Sequence, residues 1–282
     1  MFPLASRPLR EKNAIESAAF AIVLTELLDQ ECVAAMSAAA HAFAEDLPGT
    51  AATSPVFLQP GPGVTINIEG MAHQVGVNRF FAQPNGVRSW QVQAEGATIV
   101  VMCRDWSRFS EVWFRARRYI LGLVRALPRD IQVAEVGLQV VDKFVYPVGG
   151  DQTNYMISEI FREDSPFLTK KAFEAGILWH VFQGWFTQDA KRSGRVLSQL
   201  NLSSTETFEQ GPHLVTVIDH RITFQPHNAP LHVKALVEEK GDGTSELDGL
   251  FDELHASNIE LIRDLLNNEK LTSIGCDGGT TR

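Results

Sequence analysis

Between Trp106 and Leu127 the apolar residues Phe109, Val112, Trp113, Ala116, Tyr119 and Ile120, then Leu123 and Val124, return every third or fourth position. Only an α-helix turns at that period, so this stretch demands a helix of about 22 residues with one face against a core. Asp105 or Ser107 is its expected N-cap, and Pro128 stops it. A helix of this kind needs an apolar surface to lie on, and the residues on either side supply the pattern of one.

Upstream, Trp90, Val92 and Ala94 alternate with Gln91 and Gln93, and Val64, Ile66 and Ile68 alternate likewise. Period two is the mark of half-buried strands. Turns at Pro84-Asn85-Gly86 and Glu95-Gly96 divide Val75 to Ala82, Val87 to Ala94 and Thr98 to Cys103 into a three-stranded antiparallel meander. Before the meander, a strand within Ala14 to Leu28 leads into a helix capped by Asp29 and running to Asp46, stopped by Pro48-Gly49. After the helix, Val133 to Tyr146 reads as another strand.

Beyond Pro147 to Asp151, the expected boundary, the pattern is less regular. Thr169 to Phe186 fits helix, or helix then strand, because Gly176 and Gly184 weaken a continuous helix. Val196 to Phe208 and His213 to Phe224 read as a hairpin, and Leu247 to Leu266 as a long amphipathic helix. His255 and Asn258 interrupt its stripe and are expected as a buried, hydrogen-bonded pair. The fold class is therefore α+β: antiparallel sheets with long amphipathic helices packed on one face, in an N-terminal half at 1–147, a similar C-terminal half at 152–275, and a frayed tail at 276–282.

Composition narrows the function classes. With 44% hydrophobic and 21% charged residues in 282, the chain forms a core without staples. A formal net charge of -9 disfavours non-specific coating of nucleic acid. Cys32, Cys103 and Cys276 are odd in number and far apart, so no disulfide framework is expected, and the reducing cytoplasm is the natural location. The apolar run Ala18 to Leu24 is too short to span a bilayer, so no membrane association is expected.

No nucleophile motif, phosphate loop or dinucleotide fingerprint is present; Gly61-Pro62-Gly63 is a turn with no helix behind it. No cofactor and no catalytic residue is expected. For a metal, the weak candidates are His213, His220 and Asp219, since a strand could align two of these imidazoles on one face; His227 and His232 lie nearby, but tight ligand pairs are missing. The most distinctive polar feature is on the central helix. Seven arginines and no lysine occupy residues 104 to 129, and Arg108, Arg115, Arg118 and Arg125 share one face. Guanidinium forks bind carboxylates in pairs, so this face is expected to contact an acidic protein partner. Solvation or internal salt bridging would also explain it, and the aromatics lie on the opposite stripe, which disfavours nucleic acid. The expectation is a non-catalytic binding or accessory protein, with a homo-oligomer as an option. Its alternative is an enzyme or small-ligand binder with a pocket between sheet and helices, built from residues such as His180, Asp219 and His220. Nucleic-acid backbone binding is the third reading.

Five segments together resemble a known family: P-L-R-E-K-N-A-I-E-S-A-A-F-A-I at Pro8 to Ile22, W-Q-V-Q at Trp90 to Gln93, W-S-R-F at Trp106 to Phe109, V-G-L-Q-V-V-D-K-F at Val136 to Phe144 and L-F-D-E-L-H at Leu250 to His255. They resemble a sporadically distributed, uncharacterised bacterial protein family of about this length. The resemblance implies a bacterial cytoplasmic protein and suits a mobile accessory, defence or toxin-antitoxin gene. It brings no catalytic residue, and the chain departs from it between His213 and Lys240.

Overall fold

A computed structural model describes residues 6–52, 76–147, 152–189, 191–208, 213–227 and 229–276. The ten strands are β1 (Arg7–Pro8), β2 (Ile15–Leu24), β3 (Gly49–Thr50), β4 (Val77–Ala82), β5 (Arg88–Glu95), β6 (Thr98–Cys103), β7 (Val133–Val145), β8 (Trp179–Asp189), β9 (Gly194–Thr207) and β10 (His213–Pro226). The helices are α1 (Gln30–Ala40), α2 (Phe109–Arg125), α3 (Lys170–Phe173), α4 (Val233–Leu236), α5 (Glu246–Leu265) and α6 (Asn268–Ser273). The chain is α+β.

Among the described residues all strands join one antiparallel sheet in the order β3-β4-β5-β6-β2-β7-β10-β9-β8, with β1 also on β7. That order mirrors itself about the β2–β7 pairing: β6, β5 and β4 lie outward from β2, and β10, β9 and β8 outward from β7. The element order β2-α1-β4-β5-β6-α2 is followed by β7-α3-β8-β9-β10-α5, so the topology repeats from β7 onward. β7 and β10 pair over Val136–Val145 and Val215–Phe224, which fuses the segments on either side of residue 150 into a single sheet. The boundary at 148–151 lies outside the described residues, as do the expected strand at Val64 to Ile68, the turn at Gly61 to Gly63 and tail residues 277–282.

Local chemistry explains each end. The Asp29 side chain accepts the Cys32 amide at 2.8 Å and starts α1. Gly86 and Gly96 take positive φ, 81° and 61°, in the two meander turns, a conformation that costs other residues more. The long helix is shorter than its stripe: α2 begins after Arg108, which is extended and makes no side-chain cap, so neither Asp105 nor Ser107 caps it. Trp106 still packs in the core, ahead of the helix. In the ambiguous stretch, one helical turn ends near Gly176 (φ 79°) and the edge strand β8 follows. Ser245 and Asp248 form a reciprocal capping box on α5.

Two apolar clusters carry the packing. In the first, Phe20 of β2 meets Trp113 of α2 at 5.4 Å and Phe251 of α5 at 5.3 Å between ring centroids. The second gathers Phe161, Trp179, Leu200, Ile218 and the last turns of α5. Helix α5 serves both, with Leu247 to Leu254 in the first cluster and Ile259 to Leu265 in the second. Burying a side chain such as Phe20 is worth about 1.5–3 kcal/mol, so this shared helix is a large part of what joins the clusters. None of the described helices is long and apolar enough to cross a membrane.

Candidate functional site

Strand parity decides which side chains can meet. His220 on β10 lies in register between Val140 of β7 and Leu200 of β9, and Val140 lies opposite Ala18 of β2. These residues share the face that bears Phe20 and its packed rings, since side chains alternate along a strand. Asp219 and Arg221 therefore turn to the other face, beside Gln139 on β7 and Gln199 and Asn201 on β9. By the same rule His180 and Phe182 of β8 join them. Together they line a groove of 680 Å³, with Leu178, Ser203, Thr205 and Glu206 at its margin.

The groove's polar groups are held by neighbouring strands. Gln139 Nε2 donates to Asp219 Oδ1 at 2.7 Å. His180 Nε2 lies 2.7 Å from Asn201 Oδ1; an amide oxygen only accepts, so that nitrogen carries the proton. Arg221 Nη2 reaches Glu135 Oε2 at 3.3 Å, Gln225 Nε2 donates to the other oxygen of Glu135 at 2.9 Å, and Arg195 Nε donates to Gln225 Oε1 at 2.8 Å. Burial pushes the Asp219 carboxyl above its ordinary pKa, against the hydrogen bond from Gln139 and the charge of Arg221. Burial likewise pulls the Arg221 guanidinium down, against Glu135 and Asp219. Both charges are thus incompletely compensated. Two apolar lining residues, Leu178 and Phe182, remain 54% and 46% exposed.

The histidine expectation is corrected by the same parity. His213 and His220 are seven residues apart on a continuous strand, an odd separation, so they sit on opposite faces. His220 is buried against α5 with Nδ1 2.9 Å from Asn258 Oδ1, and burial lowers its pKa to about 4, so it is neutral. Asp219 faces the groove instead. His232 pairs with Asp130 at 3.3 Å, and His227 is exposed. Among the described residues no three His, Cys, Asp or Glu side chains stand close enough to hold a metal. Asn258 reaches across to β10, while His255 stacks flat on Phe109, 3.9 Å between centroids.

The arginine face is largely committed within the chain. Arg108 pairs with Glu111 at 3.1 Å, and Arg125 with Glu239 at 3.2 Å. Arg115 lies over the Trp90 ring at 4.4 Å and donates to the Tyr119 hydroxyl at 2.9 Å. Arg118 bridges Asp46 and also reaches the Tyr119 hydroxyl. The more buried Arg117 meets Asp248 at 2.8 Å and Glu239 at 3.1 Å. These contacts tie α2 to the turn at Asp46 that follows α1, to the loop before α5, and to α5 itself.

Of the pocket residues expected from sequence, His180 and Asp219 come together and His220 does not. Gln139, Asn201 and Arg221 were not expected. Their only signal was an alternation of polar with apolar residues, which any water-facing strand surface shows. Phe20, Trp113 and Phe251 fill the space between β2, the middle of α2 and the first turns of α5, but a cavity of 850 Å³ does lie on the helix side, between the start of α2 and α5, lined by Trp106, Phe109, His255 and Ile259; the groove opens on the other face. Compared with protein-family models, curated proteins and solved structures, the chain matches none.

Proposed function

We propose that this protein is a binding protein without catalytic activity, whose ligand site is the groove over β7, β10, β9 and β8. In this reading the two long helices pack on one sheet face and make it rigid, while the other presents the site. The observation that carries it is the convergence of Asp219, Gln139, Arg221, Asn201 and His180, from four strands, on one cavity of 680 Å³. A volume between about 300 and 1,000 Å³ with a few convergent polar groups is typical of small-molecule sites. The protein is proposed to be bacterial and cytoplasmic; its three cysteines, all buried and none in a disulfide, suit a reducing compartment.

The test is a thermal-shift screen of polar metabolites on wild type and Asn201→Leu. A compound that raises Tm in wild type and not in the variant supports the proposal. If every active compound stabilises both proteins equally, the groove is not the site.

A second reading, docking of an acidic protein on Arg108, Arg118 and Arg125, is favoured by side chains that stay 69%, 53% and 51% exposed despite their internal partners. An accessory, regulatory or defence role would then follow from that partner. Affinity that survives reversal of Arg108 and Arg125 to glutamate would remove this reading, and a steep salt dependence towards DNA would replace it with backbone binding.

A further inference from the structure

We infer that the groove's ligand is a neutral, hydroxyl-rich ring compound, a mono- or disaccharide, seated between the Asp219, Gln139 and Asn201 side chains and the Phe182 ring. This rests on the groove being the ligand site. The charge of the lining excludes anions as the favoured class: Asp219 and Glu206 outnumber Arg221, whose guanidinium is already turned to Glu135. A bare divalent cation finds no cluster of three ligands among the described residues. A wholly apolar molecule would strip water from Gln139, Gln199, Asn201 and Asp219 and return no hydrogen bonds, at a cost for each buried polar group.

A sugar ring meets these groups differently. Its hydroxyls both donate and accept, matching a carboxylate that only accepts and amides that do both. Asp219 Oδ1 is fixed by Gln139 and Asn201 Oδ1 by His180, so the remaining lone pairs and the amide N–H groups are oriented before a ligand arrives. Preorganised acceptors lose little freedom on binding. The C–H face of the same ring needs an apolar platform, and Phe182, 46% exposed and opposite Asn201 on the β8–β9 ladder, provides one.

The experiment is calorimetry on the full chain with glucose, galactose, N-acetylglucosamine and maltose as neutral probes, and glucose 6-phosphate and putrescine as charged ones. At least one neutral sugar is expected to bind. Phe182→Ala should weaken it about tenfold, and Asp219→Asn about ten- to a hundredfold. If only a charged probe binds, and Asp219→Asn weakens it, the saccharide assignment is overturned while the groove remains a site. If no probe binds, or both variants bind a sugar as wild type does, the groove reading falls as well.

Discussion

The two densest polar regions use the same side chains to opposite ends. Around α2 the carboxylates that pair with Arg117 gain from their surroundings. Burial works against Asp248, but hydrogen bonds from Ser245 and Arg117 outweigh it and hold the carboxyl below its ordinary pKa. Glu239 is lowered by its bonds to Arg117 and by Arg125, and Asp29 by the Cys32 amide. On the groove face the shifts run the other way: Asp219 is raised and Arg221 lowered, each by burial first. A region whose contacts favour its ionised forms holds a fold together; one whose burial disfavours them is the kind of setting in which binding groups are found. The sequence pattern favoured the first region as the functional one, and the electrostatics favour the second.

The contrast breaks most visibly at Asp248. Its carboxylate accepts from Trp113 Nε1 at 2.9 Å, Arg117 Nε at 2.8 Å, and the Ser245 amide at 2.7 Å, so it joins α2 to the start of α5. Asp248→Ala should lower stability by about 3–4 kcal/mol, since it leaves a guanidinium and an indole N–H without their acceptor. Urea unfolding measures this. A loss below about 1 kcal/mol would mean that the α2 cluster is surface decoration.

Next in size is Arg192, in the β8–β9 turn and only 9% exposed, which gathers Asp189, Glu246 and Glu253. Arg192→Ala should cost about 2–3 kcal/mol at pH 7. The hydrogen bond from Arg192 holds Glu253 at about 2, below its ordinary 4.5. A depressed carboxyl stabilises the folded state above 4.5, and that contribution is lost as pH falls from 4.5 towards 2. The variant's acid limb should therefore be flatter across that window. An unchanged slope would show that the bridge does not persist in solution.

How much of this was legible differs by element. The stripe from Phe109 to Val124, the meander and the capping residue Asp29 are local signals, and each became the element it indicated. The start of α2 was misplaced because apolar spacing continues through Trp106, while the backbone at Arg108 is already extended. The groove could not be read locally. Gln139 and Asp219 meet because β10 returns to pair with β7 across 80 residues of chain, and Asn201 meets His180 across a hairpin whose first strand was not separable from a helix. Alternation tells which side chains share a face of one strand; it does not tell which strands lie together. Even that parity was decisive against His213 with His220.

A smaller effect separates the exposed arginines from the half-buried ones. Arg118, 53% exposed, bridges Asp46 in water's reach, and Arg118→Ala should change stability by no more than about 1 kcal/mol. Arg115, stacked on Trp90 and bonded to Tyr119, should cost more when removed than its neighbour. Equal losses in thermal unfolding would contradict the distinction between packed and solvated members of one helix face.

The smallest effect is the sharpest, because its sign tells the two regions apart. The folded Asp219 carboxyl titrates above its ordinary 3.8, so folding favours its protonated form. Stability linked to this group is complete below 3.8 and declines as pH rises through the raised value, leaving the ionised groove slightly strained at neutral pH. Asparagine keeps the oxygen that accepts from Gln139 and removes the charge that burial disfavours. Asp219→Asn should therefore match or exceed wild-type Tm at pH 7, and should lack the wild-type decline above pH 3.8. The corresponding Asp248→Asn change on α2 should do the reverse, losing stability because the carboxylate there is held in its charged form. If both substitutions destabilise alike, the groove's carboxylate is a structural ion like the other, and the case for a ligand in its place is lost.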